Sequence, residues 1–160
     1  MLDVKGKNLD SVNVPRLMEF EGELHTLDVS KNNINALSPE IGHLYDLKVL
    51  RLAENKLTDP LPASLQDLAS LKELTLNKNS LKEFPCIVMD NVEIVNLGSN
   101  AFQAIPDCFA FWPKLRQIIM PYNKITDVEN LACENFQKLE VLDLSSNKVE
   151  MLSKEFPYFL

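Results

Sequence analysis

Few side chains in this 160-residue chain are of the types that move protons or attack carbonyls near neutral pH. His25 and His43 are its two histidines, and neither has an evident nucleophile partner. The four glycines, at 6, 22, 42 and 98, build no phosphate-cradling loop, and neither G-x-x-x-x-G-K-[ST] nor G-x-S-x-G occurs. Carboxylates are plentiful but dispersed. Cys86, Cys108 and Cys133 form an odd set without a close pair, which is poor material for disulfides or for a metal. They are expected to be three semi-buried thiols in a reducing compartment. No catalytic residue, metal ligand or cofactor is therefore expected. The polar side chain that does recur at regular spacing is asparagine. Asn32, Asn55, Asn79, Asn100, Asn123 and Asn147 stand 23, 24, 21, 23 and 24 residues apart. Their chemistry is hydrogen bonding, because a carboxamide both donates to and accepts from main-chain groups that a sharp turn leaves unpaired.

The elements that must position these asparagines repeat with them. Leu139, Leu142, Leu144, Asn147 and Val149 set a pattern that returns as Leu24, Leu27, Val29, Asn32 and Ile34. It returns again from Leu47, from Leu71, and more loosely from Val92 and Leu115. Period-two alternation, as in Leu74-Thr75-Leu76, describes a short strand with one face inward. One such strand cannot bury its apolar side, whereas stacked copies join into a parallel sheet over a continuous leucine column. Carried by these L-x-x-L-x-L-x-x-N-x-L copies, the chain resembles the leucine-rich repeat family over essentially its full length. The resemblance implies an α/β class fold: a right-handed solenoid with the parallel sheet on the concave face and mostly irregular or short helical convex segments. It also implies an asparagine ladder between neighbouring coils.

In the return segments, Leu37, Phe84, Ile105, Val128 and Leu152 lie five residues after their asparagine, and Ile41, Val88, Phe109 and Phe156 lie nine after. These are expected to point inward, and so are Leu44, Trp112 and Phe159, twelve after. Pro39, Pro62, Pro85 and Pro106 argue against long helices. The proline-free stretch 126–138 is the best place for a real helix, and Thr58-Asp59-Pro60-Leu61-Pro62 resembles the convex pattern of plant-type members.

Domain organisation reads as one unit over 1–160, with a half repeat at 1–23 and repeats starting near 24, 47, 71, 92, 115 and 139. In the half repeat Lys7 stands where an asparagine would. The register breaks off at Leu160, so the carboxyl end is expected to be truncated or uncapped, covered by further repeats, a partner or a second copy. No leader or membrane-length apolar run is evident, and the compartment expected is the cytosol or nucleus.

Alternation also fixes what faces outward on the sheet. One row is Thr26, Val49, Glu73, Ile94, Gln117 and Val141; the next is Asp28, Arg51, Thr75, Asn96, Ile119 and Asp143; the third is Ser30, Ala53, Asn77, Gly98, Pro121 and Ser145. Ile94, Ile119, Pro121, Tyr122 and Val141, with Asn96 among them, would form an apolar patch on a polar face, the kind of patch that marks partner sites. Asp28 and Arg51, with His25, Lys48 and Lys72 nearby, form a secondary, charged candidate. Phe111 is a weaker convex candidate. With 23 acidic against 16 basic residues and a net charge of −7, the chain is unsuited to nucleic acid or anionic membranes and compatible with a neutral or basic protein. The expected function is protein recognition in scaffolding or signalling, with no membrane insertion. The rival readings are a targeting or regulatory segment of a larger enzyme or signalling protein, and an extracellular receptor.

Overall fold

The computed structural model describes residues 1–20, 22–128, 136 and 138–150. Seven short strands run in sequence order through one parallel sheet: β1 (Leu2–Asp3), β2 (Thr26–Asp28), β3 (Val49–Arg51), β4 (Glu73–Thr75), β5 (Ile94–Asn96), β6 (Gln117–Ile119) and β7 (Val141–Asp143). The register aligns Leu2, Leu27, Leu50, Leu74, Val95, Ile118 and Leu142 in a single inner column. From Leu27 to Ile118 these side chains are fully buried. A second column, Val29, Leu52, Leu76, Leu97 and Met120, lies beside it and is equally buried. Each such side chain removed from water contributes about 2 kcal/mol, which is what selects a stack over separate coils.

The asparagines close the turn after each strand. Asn79 is representative: its Oδ1 accepts from Leu57 N at 2.9 Å, while its Nδ2 donates to Leu52 O at 3.0 Å and to Leu76 O at 2.9 Å. The same three-way arrangement recurs at Asn55, Asn100, Asn123 and Asn147. Asn32 holds the half coil in the same manner, accepting from Lys7 N and Leu9 N and donating to Val4 O. Since Leu2 pairs with Leu27, Lys7 does occupy the asparagine position of that coil.

Short helical pieces fill the return side, as the prolines require. Ser38 caps a 3₁₀ segment, Pro39–His43, by accepting from Glu40 N, and similar segments span Ala63–Asp67 and Asp107–Phe111. In the half coil, Asn13 caps α1 (Val14–Leu17), with Pro15 in its first turn. The first two 3₁₀ segments pack so closely that a Cβ on Gly42 would lie 2.7 Å from Ser64 O. Leu37, Phe84, Ile105, Val128, Ile41, Phe109, Leu44 and Trp112 are buried as their offsets demand. Phe84, Phe109 and Trp112 form a ring cluster with centroids 4.5–5.6 Å apart, and Trp112 Nε1 donates to Ile87 O.

Val88 corrects the offset rule. It is 44% exposed, and its neighbours Ile87 and Met89 point inward instead. The coil from Asn79 to Asn100 is the short one, at 21 residues, and builds no 3₁₀ segment, so counting from the asparagine slips by one. Cys86 is likewise exposed rather than semi-buried, while Cys108 is buried. The helix expected over 126–138 falls largely outside the described residues, as do Cys133, Leu152, Phe156 and Phe159.

Candidate functional site

The outward side of the sheet presents the three rows in register, Thr26 with Val49, Glu73, Ile94, Gln117 and Val141, and so on for the other two. Ile94, Ile119, Pro121 and Val141 come from three consecutive strands or their ends, and Tyr122 follows directly. Ile94, Asn96, Ile119 and Pro121 are half-buried, Val141 is 40% exposed and Tyr122 is 65% exposed. Asn96 and Ile119 are direct cross-strand partners.

Main-chain bonding explains how a proline enters this sheet. In each ladder step the residue after the strand donates across, as Leu97 N does to Ile119 O and Met120 N to Asp143 O. The next donor is two residues on, Ser99 N to Pro121 O and Tyr122 N to Ser145 O. The intervening N–H has no ladder partner, and at Ser30, Gly98 and Ser145 it donates to the side chain two residues before, Asp28, Asn96 and Asp143. Position 121 is such a place, so Pro121 gives up no ladder bond. Its ring rests over Gly98, where an added Cβ would lie 3.0 Å from Pro121 Cδ. Gly98 is thus a necessary part of the patch that the residue types alone did not single out. The visible signal is a glycine in a row otherwise made of serine, alanine, asparagine and proline.

Tyr122 sits at φ 55°, in the left-handed region. The equivalent residue of every coil does so, Lys31, Glu54, Lys78, Ser99 and Ser146 having φ of 55–57°. This sharp turn starts each return segment and holds the exposed ring on a fixed backbone.

The charged candidates are already engaged. Asp28 Oδ1 accepts from Ser30 N at 2.9 Å. Arg51 faces Asp28 in the register, but its guanidinium forms two bonds with Glu73 on the next strand, at 3.0 and 3.2 Å. Planar fork geometry favours the carboxylate that can be gripped side-on. Along the rim just before the strands, Lys72 pairs with Glu93 and Arg116 with Glu140. The Lys72 bond holds the Glu93 carboxyl below its usual range. These partly exposed pairs orient side chains more than they stabilise the fold.

On the return side, a groove of about 500 Å³ is lined by residues including Lys82, Cys86, Phe102, Asp107 and Cys108. Burial pushes the Cys108 thiol up to about 11, so it is protonated and unreactive near neutral pH. Phe111, 64% exposed, lies on this side too. Among the described residues no three His, Cys, Asp or Glu side chains converge, and no helix is long and apolar enough to cross a membrane. The sheet face and the return-side groove are open surfaces that another molecule can contact.

Comparison with known proteins agrees with the coil architecture. A leucine-rich repeat family model matches residues 22–81, and a second matches residues 137–150. The probable serine/threonine-protein kinase pats1 of Dictyostelium discoideum is 28% identical over 143 residues, covering 83% of this chain and 4% of its own length. The chain also spans less than half the length of each of the other first curated relatives it matches. Among solved structures, an internalin (inlF) from Listeria monocytogenes superposes with a TM-score of 0.69 at 20% identity, over 88% of this chain and 40% of that one. A plant peptide hormone receptor, RGFR1, solved in complex with RGF2, gives 0.66 at 22% identity over 78% and 21%. Repeating asparagine-closed coils, one parallel sheet and these matches lead to one conclusion: the chain belongs to the leucine-rich repeat family.

Proposed function

We propose that the sheet face binds a protein partner, with Ile94, Asn96, Ile119, Pro121, Tyr122 and Val141 as the central contacts and Asp28 and Arg51 as a secondary, polar end. Leucine-rich repeat proteins generally mediate protein–protein interaction, and the fold neighbour RGFR1 was solved with RGF2 bound. The observation that carries the reading is the grouping of half-exposed apolar residues on β5, β6 and β7, beside a tyrosine that is 65% exposed on a rigid turn. Aromatic anchors surrounded by apolar neighbours are where binding energy concentrates. Replacing Ile119 and Tyr122 together by alanine, with an unchanged melt, is expected to weaken partner capture from the source cell about tenfold or more. Retention of every captured protein at wild-type strength would reject this surface.

A second reading makes the solenoid a targeting or regulatory segment of a larger enzyme or signalling protein. It draws on the kinase relative, of which this chain corresponds to 4%. A source transcript whose reading frame encodes only this solenoid would exclude it.

A further inference from the structure

Although the chain carries a net charge of −7, its lysines are concentrated on one edge of the coil. Lys31 and Lys78 occupy the left-handed position after the strand, and Lys56, Lys124 and Lys148 directly follow their asparagines. Lys5 and Lys7 belong to the corresponding turn of the half coil. All seven are exposed. Glu54 is the one acidic residue at either of these positions in any coil. Its carboxylate lies 3.9 Å from the Lys31 ammonium and 3.4 Å from that of Lys78. Lys56, Lys124 and Lys148 have no ion pair among the described residues.

The main chain holds this edge firmly. Lys31 N donates to Ala53 O and Lys78 N to Gly98 O in the following coil, at 2.9 and 2.8 Å. Lys56, Lys124 and Lys148 donate to Ile34 O, Phe102 O and Ile125 O in the preceding one, at 2.8–2.9 Å. Three or four residues beyond four of the six asparagines the sign reverses, at Asp59, Glu83, Asp127 and Glu150. On the sheet side the nearest carboxylates, Asp3, Asp28 and Asp143, each accept from a backbone N–H.

We propose that this lysine edge docks an extended acidic segment of a partner protein. Carboxylates of the segment lie between lysines of neighbouring coils, as Glu54 lies between Lys31 and Lys78, and an apolar side chain of the segment rests on Tyr122. This surface lies beside the concave patch and shares only Tyr122 with it. Adjacent coils are about 4.8 Å apart, a spacing that carboxylates on an extended chain can follow. A short segment lies within a Debye length, about 8 Å, of the lysines and responds to them alone. A bilayer or a long nucleic acid also meets the acidic return side and the overall negative charge, and is repelled. A nucleic acid, moreover, offers no aliphatic side chain to the tyrosine ring.

The test uses a fluorescein-labelled peptide of alternating glutamate and alanine with one central leucine, titrated with the full chain at low salt. The edge variant is Lys56→Glu, Lys124→Glu, Lys148→Glu, and the control, with the same change in net charge, is Arg16→Glu, Lys114→Glu, Lys138→Glu, at exposed residues outside both surfaces. Wild-type binding is expected to weaken as salt rises, the edge variant to lose about tenfold or more, and the control to stay within about twofold. Equal losses in the two variants would overturn the proposal, since net charge alone would then explain them. Absence of peptide binding at low salt, or tighter binding to phosphatidylserine vesicles or to a single-stranded oligonucleotide of equal charge, would overturn it too. If charge reversal unfolds the chain, the set Lys56→Gln, Lys124→Gln, Lys148→Gln replaces it, and wild-type affinity in that set counts against the proposal.

Discussion

At the scale of single residues, the asparagines and the exposed aromatic behave differently under substitution. Asn79 satisfies one main-chain donor and two acceptors through one side chain, and no alanine variant can replace those bonds. Asn79→Ala is expected to cost about 1–3 kcal/mol by leaving partly buried groups unpaired. Urea melts with an unchanged midpoint would contradict this. The asparagine role was readable because a periodic carboxamide has one obvious partner, the backbone of its own turn. The settings of Arg51 and Tyr122 were not readable. Arg51 has Asp28 opposite it and Glu73 on the other flank, and only side-chain geometry decides for Glu73. Tyr122 looks like an ordinary loop tyrosine until its φ of 55° is known. Left-handed backbone usually announces itself as glycine, and here lysine, glutamate, serine and tyrosine hold it instead.

At the scale of elements, the strands were legible and the return segments only in part. Each strand from β2 to β6 is three residues whose central side chain is inward, so period-two alternation fixes it with no further information. A return segment varies in length, and an offset counted from its asparagine fails when the segment shortens. That is why Val88 is outside and Met89 inside, at 44% and 2% exposure. The packing argument gives a direct check: Met89→Ala should cost about 2–4 kcal/mol, whereas Val88→Ser should stay within about 0.5 kcal/mol. Denaturant midpoints showing the reverse order would restore the uniform offset. Pro121 teaches the complementary lesson, since it stands in the sheet at the step whose N–H the ladder leaves unused.

At the scale of the molecule, each coil contacts its two neighbours, and the overall shape follows from the repeat length seen in the sequence. A stack of this kind loses one coil more readily than part of one. Deleting residues 71–91 would join Ser70 to Val92, the opening position of the next coil, and keep every inward column in register. The shortened chain is expected to fold with a single cooperative melt, while deletion of residues 71–80 alone should abolish it, as circular dichroism would record. The asparagine bonds add a direction to this stack. Asn55 clasps Ile34, Asn79 clasps Leu57 and Asn147 clasps Ile125, always reaching back to the coil before. A ribosome therefore releases each loop before the residue that fastens it has been made. The growing end always trails one unlatched turn, and the polypeptide becomes secure one loop behind its own synthesis.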